Sequence, residues 1–577
     1  MNQAAGQTPE TSSSLFFVDF AVEIGRWTYV AGWCGSSVSD IGATVGEQTC
    51  ETRIERYSRP DVAAIYGEQI PKDAGFILSI LRGDTEGEVI LHWTRPDGGD
   101  QTGITLLDDL PDNFMQSLRP ILERQVAGFE TGSPDWIAHQ LFLPPGEEED
   151  IEIRGAVDGL FSHPDSGSFI HGWILGDEDV AIVLLEKDGT FHALQDMYRF
   201  PRPDLAANFD AGQAQVSRAG FVARLENRVS GPGMLLAMSG TATLTLTKTP
   251  KPRLLPAAPK AAAKILLGVE TPLPDLVTRL SRVDWPILAP LIAQEQAGWA
   301  AEEVVGADLG PQPDSPEVSL IIPLYGRHDF VEHQLMEFSR DPYMREKAEV
   351  IYVIDDPAIK EAFIASCSEL YQLYGFSFRW VWGGVNRGFS GANNLGASQA
   401  RAPRLLFMNS DVFPQQVGWL EQMVTALDTH PALGVVVPRL LFANGGIQHC
   451  GMISKRLDSL GIWINHHPNL GLDPALDPRK ELEAVELATG ACMLVRREEL
   501  ERLGGWNTGY LIGDYEDSDL CFSYRAAGLD IGYLPTVSLV HLERQSFSQI
   551  GADSFKIRVM VANSLRHMNR WPQFLYA

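Results

Sequence analysis

Four short apolar runs between residues 318 and 408 set the strongest limit on how this chain folds. They are 318–322, 350–354, 378–382 and 405–408. Polar groups follow each of them: Pro323, then Asp355-Asp356, then Asn386-Arg387-Gly388, then Asn409-Ser410-Asp411. Helix-like segments at 327–339, 358–373, 391–400 and 415–427 separate or follow the runs. Continuous apolar strands alternating with helices are the pattern of a parallel sheet with crossover connections. Ligands of such sheets bind beyond the carboxyl ends of the strands. Successive strand ends here carry acidic or amide side chains, so the sequence points to one rim of one sheet as the site.

Further signals lie downstream. Thr489-Gly490-Ala491 interrupts a strand-like segment at 485–495, and Gly504-Gly505-Trp506-Asn507 reads as a turn. Asp514, Glu516, Asp517 and Asp519 cluster where a helix over 517–527 begins, and Gly528 ends it. Carboxylates at a helix start often serve only as caps and partners of the helix dipole. Packed this closely they also repel, which predicts a bound cation or raised proton affinity for some of them. His541 follows an apolar strand at 538–540.

The front of the chain carries an internal repeat. Gly32-Trp33, Arg59-Pro60-Asp61 and Ala74-Gly75-Phe76 return as Gly172-Trp173, Arg202-Pro203-Asp204 and Ala219-Gly220-Phe221. Strand-period alternation surrounds these landmarks, and the expectation is two β-sandwich-like domains, at 14–130 and 150–249. Trp33 and Trp173 read as core residues of the sandwiches, with a sugar-stacking platform as the functional alternative. The Arg-Pro-Asp turns read as structural, Asp capping a short helix. Residues 250–316 read as a linker and helical connector: 248–264 is rich in Pro, Ala and Lys, a semi-rigid linker composition, and 274–304 has helical spacing. The tail at 1–13 is polar and reads as disordered.

Composition excludes several function classes. With 46 Lys+Arg against 75 Asp+Glu the formal charge is −29, which disfavours nucleic acid as a partner. No apolar run approaches the ~20 residues of a membrane-spanning helix. No secretory leader is visible and the 6 cysteines form no C-x-x-C pair, so the expected location is cytoplasmic.

Taken in order, the sequence 318–323, Asp355-Asp356, the Asn386–Asn394 stretch, Asn409-Ser410-Asp411, Thr489-Gly490-Ala491, Glu516-Asp517-Ser518-Asp519-Leu520 and His541 resembles the family 2 glycosyltransferases, in the branch that builds bacterial surface polysaccharides and includes rhamnosyltransferase-like members. The resemblance covers about 317–548 and implies a GT-A, Rossmann-like nucleotide-sugar domain within 317–577. It implies a metal-dependent, inverting transferase that moves a sugar from a nucleoside-diphosphate donor to a glycan, a lipid-linked sugar or a glycoprotein. Asp517 matches the catalytic base; the neighbouring carboxylates leave a shift of one or three positions open. Asp411 and His541 match ligands of Mn2+ or Mg2+. Pro323, Asp355, Asp356, Asn386, Arg387, Gly388 and Asn409 match the donor pocket, and Glu516 and Asp519 the acceptor side. Asn409 departs from a strict D-x-D pattern, and with one carboxylate fewer the cation would be held together with the donor. The resemblance leaves room for peripheral inner-membrane contact and for oligomerisation through the β domains. Other readings of the same residues are a nucleotidyltransferase or metal hydrolase, and a non-catalytic carbohydrate-binding scaffold with a degenerate transferase domain.

Overall fold

A computed structural model describes residues 15–576, apart from 68–69, 84, 86, 108–110, 144–152, 177–179, 210–211, 241 and 543–552. The tail expected at 1–13 and the junction expected near 150 lie outside the described residues. The chain divides into two compact units. One comprises Met1–Gly159, Gly172–Gln195 and Ser230–Pro252; the other comprises Leu160–His171, Asp196–Val229 and Arg253–Ala577.

In the first unit, alternation produces three four-stranded antiparallel sheets among the described residues, two of them built from the front of the chain. Phe16–Ile24, Trp27–Cys34, Gly75–Leu81 and Glu51–Tyr57 lie side by side in one. Gln48–Thr49, Ser39–Val45, Val89–Arg95 and Gly98–Gly103 form the other. Ala21, Val30, Phe76 and Leu78 of the first sheet share a core with Val45, Val89 and Leu91 of the second. Trp33 is buried against Val62, Ile70 and Ala74, which is the packing role expected of it; Trp173 is half-buried.

The repeat has a packing explanation. Gly75 pairs in register with Tyr57, and Gly220 with Phe200. A Cβ on either glycine would meet the partner's ring, at 2.9 Å and 2.5 Å respectively. In both copies, then, an aromatic side chain lies over a cross-strand glycine, a known way of protecting a bare stretch of sheet. Each Arg-Pro-Asp turn is closed by its own ion pair, Arg59–Asp61 at 2.7 Å and Arg202–Asp204 at 2.8 Å. This corrects the expected cap: the helix Pro60–Tyr66 has no side-chain N-cap bond, because the Asp61 carboxylate turns back to Arg59.

The second unit contains an 11-stranded sheet. Its main path runs Val305–Leu309, Phe378–Trp382, Ala348–Ile354, Val318–Leu324, Arg404–Met408, Cys492–Arg496, Leu433–Leu441, Asp530–His541 and Val412–Pro414. The four runs picked out in the sequence are the four parallel neighbours within it. Alternate residues feed opposite faces. Leu320, Ile322, Val350 and Tyr352 pack on one side with helices Phe330–Phe338, Pro357–Tyr374 and Trp419–Thr429. Ile321, Ile351, Val353 and Phe407 pack on the other with helices Gly388–Gln399 and Glu516–Ala526. Both faces are covered, which is why these strands read as unbroken apolar runs.

The Pro/Ala/Lys-rich segment is not a free linker. Arg253–Leu254 pairs as a strand with Phe161–Ser162, and Pro259–Leu266 is a helix. Leu255, Ala262, Ala263 and Leu266 are buried with Phe169, Tyr198, Phe200 and Val222 and with Leu276, Leu280, Leu288 and Leu291 of the connector. The alanines that suggested a spacer are the small residues that let this helix pack closely. Among the described residues no helix is long and apolar enough to cross a membrane.

Candidate functional site

The parallel strands end on a rim built of three groups of side chains. The first lies beyond Ala348–Ile354. Asp355 is 4 % exposed, and its Oδ1 accepts the Arg387 N–H at 2.7 Å. The Asn386 side-chain amide donates to the Asp355 carbonyl at 2.6 Å, and its Oδ1 accepts the Gly388 N–H at 3.1 Å. Burial pushes the Asp355 carboxyl up to about 8, against the pull of the Arg387 and Gly388 N–H groups. Asp356 caps the helix Pro357–Tyr374 through the Ala358 N–H at 2.9 Å, and its other oxygen accepts the Gly326 N–H at 3.0 Å. Arg387 donates to the carbonyls of Gly383 at 2.7 Å and Trp299 at 3.2 Å, with its guanidinium over the Trp299 ring. Pro323 stands one residue before the end of its strand, opposite Val353. Asp355, Asn386 and Gly388 of the expected donor set thus meet in one turn, with Arg387 engaged in shaping it, while Asn409 lies in the second group.

The second group joins the ends of Arg404–Met408 and Asp530–His541. His541 Nε2 lies 3.2 Å from Asp411 Oδ1, and Asn409 Nδ2 lies 3.5 Å from the same nitrogen. Gln448 holds the other edge of the ring: its Oε1 is 2.6 Å from His541 Nδ1, and its amide donates to the His541 carbonyl at 3.3 Å. That pairing keeps the proton on Nδ1, donated to the Gln448 oxygen, and leaves Nε2 turned to Asp411. An imidazole oriented through its second nitrogen is how histidine is prepared to ligate a metal. Among the described residues no three carboxylate, imidazole or thiolate groups converge on one point. The residues nonetheless fit a hard divalent ion, since carboxylate oxygen and a directed imidazole nitrogen are ligands that Mn2+ accepts.

The third group is the acidic helix start. The Asn409 N–H donates to the Ala491 carbonyl at 2.9 Å, which brings Thr489-Gly490-Ala491 against the second group. The Gly490 N–H in turn reaches Asp517 Oδ2 at 3.3 Å, and the Ser518 N–H reaches Oδ1 at 2.8 Å. A Cβ at Gly490 would stand 2.8 Å from the Trp506 ring, so only glycine lets this backbone approach Asp517. Burial raises the proton affinity of Asp517, against the N–H groups of Ser518 and Gly490, the charge of His467 and the Thr489 hydroxyl. Burial also pushes Glu516 up to about 8, with the charges of Asp517 and Asp514 adding to it. The raised affinity expected of crowding is found at Asp514, Glu516 and Asp517, but its first cause is burial, with neighbouring carboxylates adding to it at Asp514 and Glu516.

Asp519 departs from the expected acceptor contact. It is 2 % exposed and faces away from the rim into the C-terminal helix. Its carboxylate accepts from Tyr510 at 2.8 Å, Arg570 at 2.7 Å, Trp571 at 2.7 Å and Asn507 at 3.2 Å. An anion saturated in this way anchors the helix and has no lone pair left for a sugar.

Residues 319–504 match the family described as Glycosyl transferase family 2. The chain carries a family 2 glycosyltransferase domain. Curated relatives of this chain include the "Uncharacterized protein y4gI" of Sinorhizobium fredii (strain NBRC 101917 / NGR234), 33 % identical over 160 residues, covering 27 % of this chain and 17 % of the relative. Another is the "O-antigen biosynthesis protein RfbC" of Myxococcus xanthus, 28 % identical over 244 residues, covering 41 % of this chain and 18 % of the relative. The match thus spans less than a fifth of either relative's length. Similar solved structures include GalNAc-T7 with UDP, GalNAc and Mn2+, at 16 % identity and a TM-score of 0.33, covering 43 % of this chain and 48 % of that one. A mannosyltransferase of Pyrobaculum calidifontis with GDP-Man and Mn2+ is at 18 % identity and a TM-score of 0.29, covering 53 % and 84 %.

Several residues of the candidate site carry no motif in the sequence. Gln448 is found only through its contact with His541. Asn563, on the helix Asp553–Arg570, binds the loop before Glu516: its Oδ1 accepts the Leu511 N–H at 2.9 Å, and its Nδ2 donates to the Leu511 and Gly513 carbonyls, each at 2.9 Å. Such long-range pairs leave no periodicity or spacing to read.

Proposed function

We propose that the chain transfers a sugar from a nucleoside-diphosphate donor to a hydroxyl of a glycan, lipid-linked sugar or glycosylated protein, with inversion at the anomeric carbon. The observation that carries this reading is the single run of hydrogen bonds from Asn409 through Ala491 and Gly490 to Asp517. It ties a carboxylate of raised proton affinity to the strand end that carries Asp411, which supports this reading.

The two ends of that run match the two needs of the reaction. Asp517 takes the acceptor proton, and its buried surroundings make it a stronger base than a carboxylate in water. Its oxygens are held by the Gly490 and Ser518 N–H groups, so the lone pair is aimed before substrate arrives. Asp411 and His541 would hold Mn2+ or Mg2+, which when bound neutralises the leaving diphosphate. Asn409 donates rather than adding negative charge, so cation and donor are expected to bind together. Asp355, with Asn386 and the Gly388 turn, forms the pocket for the nucleoside. Glu516, protonated near neutral pH by its burial, adds no second anion beside the base. The front β domains, read as sandwich-like repeats, would assist acceptor choice or assembly. The name of the Myxococcus relative makes surface polysaccharide synthesis the natural setting.

The test is release of nucleoside diphosphate from UDP-, dTDP- and GDP-sugars with Mn2+, Mg2+ or EDTA, with and without glycan acceptors. Release of one nucleotide is expected, abolished by EDTA and by Asp411→Ala. Neither turnover nor donor binding across the panel would leave the carbohydrate-binding scaffold as the reading to adopt.

A further inference from the structure

The edge of the large sheet brings residues from before the matched stretch to the Asp355 side of the rim. Val305–Leu309 pairs antiparallel with Phe378–Trp382, with Val305 opposite Trp382. In that register the residues before Val305 run beside those that follow Trp382, which form the turn of Asn386, Arg387 and Gly388. The residues before Val305 include Glu302 and the single helical turn Trp299–Ala301, which ends the connector helix Trp285–Gly298. Gln296 fastens that helix by donating to the Thr508 carbonyl at 2.8 Å.

Two glycines show how closely the segments meet. A Cβ on Gly391 would stand 2.6 Å from the Arg387 Cβ and 2.9 Å from the Trp299 ring. One on Gly384, whose φ is 83°, would stand 2.4 Å from Glu302 Oε2. Bare backbone at both positions lets Trp299 and Glu302 lie against the turn. Arg387 joins the two segments. Its guanidinium lies 5.7 Å from the centroid of the Trp299 ring and donates to the carbonyls of Trp299 at 3.2 Å and Gly383 at 2.7 Å. A guanidinium engaged by an aromatic face and two carbonyls faces the connector.

The backbone of the same residue faces the other way. The Arg387 N–H donates to Asp355 Oδ1 at 2.7 Å, and the Asn386 amide donates to the Asp355 carbonyl at 2.6 Å. One residue thus links the Trp299 ring to the Asp355 carboxylate. Trp299 lies outside residues 319–504, the stretch that matches the family. We infer that Trp299 is a positioning residue of the nucleoside pocket: through Arg387 it sets the turn that holds Asp355, and so governs affinity for a nucleoside diphosphate without touching it. Arg387, which the resemblance matched to the donor, is then a positioning residue as well. The inference rests on the reading of Asp355 and this turn as the nucleoside pocket.

Two measurements on the full chain test it. The first is calorimetric binding of UDP, dTDP and GDP in the presence of Mn2+, beside kcat and KM for transfer. Trp299→Ala should weaken binding of the nucleotide that the parent takes by about tenfold and raise donor KM to match, with kcat held within about twofold, the scale of a lost guanidinium–ring contact. Trp299→Phe keeps a ring face and should bind as the parent does. The second is hydrogen exchange read by mass spectrometry without any ligand. Exchange in the segment 383–391 should quicken in Trp299→Ala and not in Trp299→Phe. Should Trp299→Ala not fold, Trp299→Leu, which fills the space without a π face, carries the same expectations. Unchanged binding or unchanged exchange in the aliphatic variant, equal weakening in Trp299→Phe, or a fall in kcat with binding intact overturns the positioning role. Asp355→Ala separates that failure from failure of the pocket. Binding lost in Asp355→Ala but kept in Trp299→Ala leaves the pocket standing and removes the inference. Binding unchanged in Asp355→Ala places the nucleoside elsewhere, and the role of Trp299 in its affinity falls with the pocket.

Discussion

At the scale of single residues, the site depends on second contacts more than on the residues that meet substrate. Gln448 fixes which nitrogen of His541 faces Asp411, and partners of this kind commonly govern metal affinity by about 10–100-fold. Gln448→Leu should weaken Mn2+ binding by that factor, read by electron paramagnetic resonance titration in the presence of nucleoside diphosphate, while the fold stays intact. Glu516 makes a different prediction. Its carboxyl titrates near 8 in the fold and near its ordinary value when unfolded. Between about pH 4.5 and 8 the unfolded chain has lost this proton and the folded chain has kept it, so its share of stability falls as pH rises through that window and levels off above it. Asp355 acts in the same direction. In Glu516→Gln the difference in urea midpoint between pH 5 and pH 8 should shrink, by on the order of 2 kcal/mol in unfolding free energy. Asp411, Asp517 and His541 could be assigned to one rim from the sequence because their residue types sit at strand and helix ends. Asp519 belongs to the same acidic run, and nothing in the run tells that it turns inward, since that depends on Arg570 and Trp571, some fifty residues away.

At the scale of elements, the loop before the acidic helix shows how the base is held. Ile512, Asp514 and Tyr515 all have positive φ, at 65°, 95° and 74°, a conformation unfavourable by about 1–2 kcal/mol for each such residue. Asn563 holds that turn with bonds to the backbone of Leu511 and Gly513. Asn563→Ala removes them and takes these partners from the Leu511 N–H and the Gly513 carbonyl, while the Leu511 carbonyl keeps the Gly513 N–H. The expected loss is about 2–4 kcal/mol in urea unfolding, with kcat falling more than donor KM rises, because the loop leads to Asp517 and not to the nucleoside pocket. Strands and helices of the sheet were readable because apolar runs and breakers act locally. The Pro259–Leu266 helix was misread as spacer for the same reason: alanine and lysine look alike in a linker and in a small-residue helix until the partner surface is known.

At the scale of the whole molecule, the second compact unit is more than the stretch that matches the family model. Phe169, Tyr198, Phe200 and Val222 share one hydrophobic cluster with the connector helices and with Val561, Ala562 and Leu565. A chain starting at residue 265 would lose those four side chains together with Leu255, Ala262 and Ala263, and would expose the surface they cover. Such a truncation should melt at least 10 °C below the full chain and associate in light scattering, as bared apolar surface does. No sequence boundary announces this, because the Pro-rich stretch looks like a place to cut.

The repeat carries a consequence of its own. The residues that recur are the glycine beneath an aromatic ring and the arginine that clasps an aspartate two positions on, and both are answered within their own copy. What recurs is therefore a way of closing a turn and covering a bare stretch of strand, a matter of how each copy holds itself together and not of what it touches.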